Sequence, residues 1–121
     1  MKHKKVGRKF GRVRSQRKAL LRTLLGSLIM NEKITTTEAK AKELKSVIDP
    51  IINKAKIANS DLSKKVAILR DLRIIIPVMA VRKLSGNFCD KFESRKSGYV
   101  RVVKLQPRKS DSAKMAVIEF V

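Results

Sequence analysis

The most regular hydrophobic pattern in the chain lies in its second quarter. Apolar residues recur there at steps of three and one, at Leu44, Val47, Ile48, Ile51, Ile52 and Ala55. This spacing places them along one side of an α-helix, whereas a strand would divide them between two faces. The pattern therefore predicts a helix with a buried stripe that runs to about Lys56. Proline removes a backbone donor and clashes with the preceding turn, so we expect a kink or a break at Pro50.

A shorter amphipathic helix is predicted before it, over about residues 15–31. One of its faces is apolar and another is basic, with Leu21, Leu24, Leu25 and Leu28 on the first and Arg14, Lys18 and Arg22 on the second. Ser15 is the expected N-cap and Asn31 the expected C-terminal stop. The apolar faces of the two helices are predicted to pack against each other.

The connection between these helices is short and rich in threonine. Residues 33–35 have β-branched character, which predicts a small strand. Thr35 and Glu38 have the spacing of a capping box, in which two side chains satisfy free backbone N–H groups at a helix start. Thr37 is the competing cap.

Two further helices are expected after the central pair. Asp61 supplies a helix start, and Leu62, Val66 and Leu69 then continue on one face to about Arg73. This third helix is interpreted as structural.

The three isoleucines at residues 74–76 have the propensity of a buried strand. Pro77 at a first helical position, with apolar residues following at helical spacing as far as Phe92, favours a helix instead. Gly86 weakens that interpretation.

The carboxyl-terminal part predicts an antiparallel hairpin. Residues 99–105 and 115–121 are rich in β-branched residues, and in the second run Ala116, Ile118 and Phe120 lie on one face with Glu119 on the other. The segment between them, residues 106–114, is too long for a tight turn and is basic enough to be a contact loop. Several helices with a small sheet indicate the α+β class.

Composition limits what the chain can do. Its 121 residues indicate one domain, and 30 Lys and Arg against 10 Asp and Glu give a formal charge of +20. Such a charge is best explained by a polyanionic partner, with nucleic acid as the leading candidate and an anionic membrane surface as the next. The longest apolar run, residues 74–81, is far below the roughly 20 residues that span a bilayer.

The residues offer little for catalysis or for metal binding. Cys89 is the only cysteine, which excludes an internal disulfide, and we interpret it as a small buried hydrophobe. The chain has no phosphate-cradling glycine motif and no Cys/His cluster with metal spacing, so we expect no cofactor and no metal. The acid-free start of the chain has the charge of a secretory signal or of an organelle transit peptide. Arg22 interrupts its apolar part and no small-x-small cleavage site follows, which argues against the secretory signal, whereas composition alone leaves the transit peptide as an alternative.

The positive charge is distributed over many predicted elements. Residues 1–14 form a basic arm that cannot bury enough surface to order itself, and residues 15–121 form the domain. The candidate phosphate contacts are Lys2, His3, Lys4, Lys5, Arg8, Lys9, Arg12 and Arg14 in the arm, Lys18 and Arg22 in the first helix, Lys40, Lys42 and Lys45 in the second, and Arg95, Lys96, Arg108 and Lys109 in turns.

Two features of the sequence indicate which type of nucleic acid is the expected partner. The hydroxyls of Thr35, Thr36 and Thr37 and the N-terminus of the second helix form a plausible phosphate site, although the threonines can equally serve only as caps. Aromatic residues are few, which disfavours a stacking platform for single strands. Recognition of folded RNA by shape and backbone fits better.

Four blocks of residues resemble one known family. They are Met1-x-His3-x-x-x-Gly7-Arg8-x-x-x-Arg12, Arg17-Lys18-Ala19-Leu20-Leu21-Arg22, Ile34-x-Thr36-Thr37-Glu38-Ala39-Lys40-Ala41-Lys42-Glu43-Leu44, and Gly98-Tyr99-x-Arg101 with Pro107-Arg108 and Met115-Ala116-x-Ile118-Glu119-Phe120. Together they resemble the bacterial large-subunit ribosomal protein seventeen family. The chain departs from that pattern at Pro50, at Ser97, where a glycine is usual, and in the region of Gly86.

The resemblance implies a fold and a role. The implied fold is a two-layer α/β domain with a small sheet, and the implied role is binding of large-subunit ribosomal RNA near the exit of the nascent-chain tunnel. Arg17 and Arg101 join the candidate contacts on this basis. The implied partners are that RNA and neighbouring large-subunit proteins, in cytoplasmic ribosomes, with no membrane and no homo-oligomer.

Two other classes compete with this interpretation. An architectural DNA-binding protein would share the charge, but it should also show a dimer-forming apolar surface or an intercalating wedge. A membrane-surface protein would use the basic amphipathic first helix, whose leucines we instead assign to a core.

Overall fold

The computed structural model describes residues 7–121. In chain order its elements are α1 (Arg14–Asn31), β1 (Lys33–Thr37), α2 (Glu38–Ser60), α3 (Leu62–Ile75), α4 (Val78–Ser85), a 3₁₀ helix (Asn87–Phe92), β2 (Val100–Lys104) and β3 (Met115–Phe120). The helices pack on one small sheet, so the predicted α+β class is confirmed.

The sheet has three antiparallel strands in the order β1-β3-β2. Lys33 pairs with Glu119 on one side of β3, and Arg101 pairs with Glu119 on the other. Alternation along β3 buries Ala116, Ile118 and Phe120 on one face and leaves Glu119 on the opposite face. The predicted hairpin and its inward face are therefore confirmed.

Helix α2 is the centre of the core. Leu44, Ile48, Ile51, Ile52 and Ala55 are at most 2% exposed, and α2 contacts every other element of the described chain. Its stripe is confirmed, with Val47 partly buried at the margin. The expected break is wrong, because one continuous helix includes Pro50, whose exposed position lets solvent reach the carbonyl that loses its partner.

The N-cap of helix α1 lies two residues earlier than expected. The first residue of the helix is Arg14 and Val13 holds the N-cap position, so the prediction of Ser15 as the cap is wrong. The end at Asn31 is confirmed. Glu32 follows in the left-handed region, with φ 64°, and its N–H donates to the Leu28 carbonyl at 2.7 Å, which closes the helix.

The small strand predicted between the first two helices is confirmed, and it extends through all three threonines as β1. Thr35 and Thr36 lie within β1, opposite Val117 and Ala116, so the predicted capping box is wrong. Thr37 occupies the N-cap position of α2, although its side chain makes no capping hydrogen bond. The β-branched run forms a strand because β3, the central strand, pairs with β1 along its whole length.

Helix α3 begins where Asp61 predicts, since that carboxylate accepts from the Ser63 N–H at 3.1 Å. Its predicted face is only partly correct. Leu62 and Val66 are 78% and 62% exposed, whereas Leu69 packs against the core and Leu72 is fully buried.

The isoleucines that precede Pro77 belong to no strand. Ile74 and Ile75 complete α3, and Ile76 and Pro77 form an extended corner into α4, so the proline lies one position before the helix. The predicted further helix exists, but it ends at Ser85. Gly86 separates it from the 3₁₀ helix that contains Phe92.

Candidate nucleic-acid interface

The candidate cations of the described chain lie mainly at the surface, on five separate parts of the fold. Lys2, His3, Lys4 and Lys5 fall outside the described residues. For the others, the structure shows which side chains have an acidic partner within the chain and which do not.

The segment before α1 and the first half of α1 form an exposed basic surface. No Asp or Glu precedes Glu32 in the sequence, so any acidic partner must come from another element. Lys9, Arg12, Arg14 and Lys18 are exposed, and in the part of the chain that is described none of them forms an ion pair. We call these four residues the N-terminal basic surface.

Three further arginines are partly buried by the domain or contact another of its elements. Arg17 is half-buried on α1. Arg8 lies 4.0 Å from the Glu43 carboxylate of α2, which ties the start of the described chain to that helix.

Arg22 contacts a different element. Its guanidinium donates to the carbonyl oxygens of Arg73 at 3.2 Å and Ile76 at 3.4 Å, at the C-terminal end of α3. These carbonyls have no partner within the helix, and a cation there also complements the helix dipole. Arg22 therefore has a structural role, which its place in the i, i+4 row of cations does not reveal.

The start of α2 is basic, but the carboxylate of Glu38 offsets part of its positive charge. Lys42 forms an ion pair with Glu38 at 2.7 Å, and Lys104 approaches the same carboxylate at 3.7 Å. The hydrogen bond from Lys42 lowers the pKa of Glu38 below its ordinary value. Lys45 is exposed and Lys40 half-buried, and the described chain gives neither an acidic partner.

The threonines contribute less to a phosphate site than the sequence suggested. The Glu38 N–H already donates to the Lys114 carbonyl at 2.9 Å, and the Glu38 carboxylate lies in the first turn of α2. Thr37 nevertheless lines a surface cavity of about 340 Å³ with Arg8, Lys42 and Lys114. A role in phosphate binding stays a prediction for the three threonines.

The outer face of the sheet carries a small charge cluster. Arg101 donates to Glu119 at 2.8 Å, and Lys33 lies 3.8 Å from the same carboxylate. The hydrogen bond from Arg101 lowers the pKa of Glu119. This pairing follows from the register of both strands with β3, which the sequence did not reveal.

The loop between β2 and β3 contains one bidentate ion pair in addition to its backbone hydrogen bonds. Arg108 donates through Nε and Nη2 to the two oxygens of Asp111, at 2.9 and 2.7 Å. This bidentate contact raises the pKa of Arg108 and lowers that of Asp111 to about 2. Lys109 is exposed on the same loop and forms no ion pair with any described residue.

Arg95 and Lys96 project from a second loop, between the 3₁₀ helix and β2. Both side chains are exposed, and the described chain offers neither an ion pair. Among the candidate cations, exposed side chains that form no ion pair with a described residue are therefore found in four places: the N-terminal basic surface, Lys45, this loop, and Lys109.

The described residues show no candidate metal site and no activated cysteine. They contain no group of acids, histidines or cysteines that could hold a metal ion. Cys89 is 3% exposed, and burial raises the pKa of its thiol to about 11, so it is neither a thiolate nucleophile nor a ligand at neutral pH. Within the described residues, no helix has the length and apolar character that crossing a bilayer requires.

Comparison with known proteins supplies the family. The family model described as ribosomal protein L17 matches residues 20–121. Among named proteins, "Large ribosomal subunit protein bL17" of Staphylococcus carnosus is 43% identical over 119 residues, covering 94% of this chain and 98% of that protein. The protein of the same name from Aster yellows witches'-broom phytoplasma is 45% identical over 115 residues, with 93% and 97% coverage. The Sorangium cellulosum protein is 37% identical over 143 residues, with 100% and 83% coverage. The chain therefore belongs to the ribosomal protein L17 family.

Proposed function

We propose that this protein is a structural constituent of the large ribosomal subunit that binds and stabilises folded large-subunit ribosomal RNA. Its family is structural and non-enzymatic, and its relatives carry the name of a large-subunit protein. We further propose a position near the exit of the nascent-chain tunnel in cytoplasmic ribosomes, which the resemblance of the quoted motifs implies. There the protein supports assembly and translation.

The observation that carries the RNA-binding part is the N-terminal basic surface. Lys9, Arg12, Arg14 and Lys18 are exposed and free of acidic partners in the described chain. The self-repulsion of such cations opposes folding, whereas contact with RNA phosphates releases condensed counterions and is favourable. A surface of this kind is expected to bind a phosphate backbone.

The remaining candidate contacts can be ranked by whether each cation already has a carboxylate partner within the protein. Lys42, Arg101 and Arg108 already have carboxylate partners at 2.7 to 2.8 Å, so a phosphate would have to compete with these partners. We therefore expect unpaired cations to contribute more to RNA affinity than paired ones. This ranking separates residues that the sequence treats alike.

The partners in this proposal are large-subunit ribosomal RNA and neighbouring large-subunit proteins. The mechanism is neutralisation of phosphates across several RNA segments by one rigid domain, which favours the folded arrangement of that RNA. The proposal includes no cofactor and no homo-oligomer.

The test is co-sedimentation with large subunits followed by salt washes, together with filter binding to large-subunit RNA. If about 6 to 10 phosphates are contacted, affinity should fall by roughly 10³ to 10⁵ between 50 and 200 mM salt. Lys18→Ala should lower the salt slope by about one, whereas Arg108→Ala is the matched control and should lower it less. A flat salt dependence would exclude phosphate binding as the main interaction. Equal affinity for duplex DNA would favour an architectural DNA-binding protein.

A further inference from the structure

One face of α2 holds the loop that carries Arg95 and Lys96. Asp49, Asn53 and Lys56 follow one another at i, i+4 and i+7, which places them on the same side of the helix. Each of the three hydrogen-bonds to the segment of residues 95–99. We call these three residues the α2 ladder.

We propose that the α2 ladder fixes this loop in its RNA-binding conformation before RNA arrives. In this role Asp49, Asn53 and Lys56 are positioning residues that act through Arg95 and Lys96. The inference rests on the proposed function, because it concerns how the protein presents two cations to phosphates.

The first anchor of the loop is the hydroxyl of Tyr99. The Tyr99 side chain is fully buried, and its ring packs edge-on against Phe92 with the ring centroids 5.3 Å apart. The hydroxyl contacts Asn53 Oδ1 and the Arg95 carbonyl, and it accepts from Lys56 Nζ at 3.1 Å. A phenol has one proton, so it donates to one of its two acceptors while the Lys56 ammonium also donates to the Arg95 carbonyl.

The second anchor is the carboxylate of Asp49. It accepts from the backbone N–H of Gly98 at 3.2 Å and of Tyr99 at 3.4 Å. Gly98 has φ +67°, a conformation that strains any residue with a Cβ, so this turn favours glycine. With the Arg95 carbonyl held at one end and the Gly98 N–H at the other, both ends of the loop are fixed to α2.

The residues between the anchors face solvent. Arg95, Lys96 and Ser97 are exposed, and the described chain gives the two cations no acidic partner, although the exposed carboxylate of Glu93 lies nearby in sequence. The polar groups of the ladder bind the loop's backbone and leave its charges free. This arrangement lowers the conformational entropy that the loop would lose on meeting RNA, which is the energetic advantage of preorganisation.

The sharpest test is a double-mutant cycle on RNA affinity. Tyr99→Phe removes the hydroxyl and keeps the ring, and Lys96→Ala removes one contact cation. In the parent, Lys96→Ala should weaken RNA binding about two- to fivefold, the range of an exposed ion pair. In the Tyr99→Phe background the same change should cost less, because the loop no longer holds Lys96 in position.

Lys109→Ala provides the matched control, since Lys109 is an exposed cation on a loop that the ladder does not touch. Its effect on RNA binding should be the same in both backgrounds. Binding is measured at a temperature where thermal melts show every variant folded. If Tyr99→Phe does not fold, Asn53→Ala removes the same hydrogen bond from the helix side and replaces it in the cycle.

Hydrogen exchange on the RNA-free protein gives a second readout. The Gly98 and Tyr99 amides should be protected in the parent and should exchange faster in Asp49→Ala. Exchange at the unstructured rate in the parent, or an equal cost of Lys96→Ala in both backgrounds, would overturn the positioning role. Either result is distinct from a failure of the proposed function, which would appear as a flat salt dependence in the parent protein.

Discussion

Gly26 lies where α1 packs closely against the corner that joins α3 to α4. It is buried in the middle of α1, and a Cβ at this position would lie 2.8 Å from Cγ and 3.0 Å from Cδ of Pro77. Elsewhere in a helix, Gly→Ala stabilises by about 0.5 to 1 kcal/mol because alanine loses less backbone entropy on folding. Here that gain is opposed by a direct overlap.

The free-energy cost of the overlap with Pro77 is expected to exceed the gain from helix propensity. Forcing an extra carbon into a packed core costs about 1 to 3 kcal/mol. The ring of Pro77 cannot rotate away as a flexible side chain can, and the neighbouring residue Ile76 is fully buried. We therefore expect Gly26→Ala to destabilise the protein by about 1 kcal/mol, within the range of about 0 to 2.5 kcal/mol that remains when the helix propensity is subtracted from the overlap cost.

Urea and thermal unfolding of four proteins will measure this balance: the parent, Gly26→Ala, Pro77→Ala and the double variant. Without the proline ring, Gly26→Ala should become neutral or stabilising by up to about 1 kcal/mol. Stabilisation by Gly26→Ala with Pro77 intact would refute the close contact. Additive effects of the two substitutions would refute it as well, because residues in contact should show coupling.

Three further predictions concern charged residues. Arg22→Ala should lower stability by about 1 kcal/mol in urea unfolding, because it removes hydrogen bonds to the end of α3, and no loss would assign Arg22 to RNA alone. Asp111→Asn should lower the stability of the fold at neutral pH and should have no effect at low pH. The folded pKa of Asp111 is about 2 against an ordinary 3.8, so its pairing with Arg108 stabilises above pH 3.8 and is lost towards pH 2, where parent and variant melts should converge. Deleting residues 1–12 should keep a cooperative melt and weaken RNA binding, whereas loss of cooperativity would show that this segment belongs to the fold.

The periodicity of apolar residues correctly predicted the helices and strands that bury one face in the core. The stripe of α2, the leucine face of α1 and the alternation in β3 are all read from the spacing of apolar side chains, and all lie in one core. Asp61 was also predicted correctly as a helix start, because its cap is completed within two residues.

Features that depend on partners distant in sequence could not be predicted in the same way. The pattern of Thr35 and Glu38 is a valid local capping signal, but β3 offered this segment a complete ladder of hydrogen bonds. Leu62 and Val66 have helical spacing, yet the orientation of α3 on α2 leaves both in solvent.

The same limit applies to the candidate interface. Positive charge alone identified the cations, and Lys42 with Glu38 was detectable as an i, i+4 pair. The partners of Arg22 and Arg101 lie on other elements, so the sequence could not separate structural arginines from free ones.

The strand order has a consequence for how the chain folds during its own synthesis. β3 occupies the middle of the sheet, although it is the last of the three strands to leave the ribosome. Until it emerges, β1 and β2 have no partner strand, and β1 must wait for residues about eighty positions downstream, such as Glu119 opposite Lys33. Such distant pairings are slow to form, so the α2 helix and its neighbours should collapse first and the sheet should complete the fold. Truncation within β3 would therefore remove both strand interfaces at once.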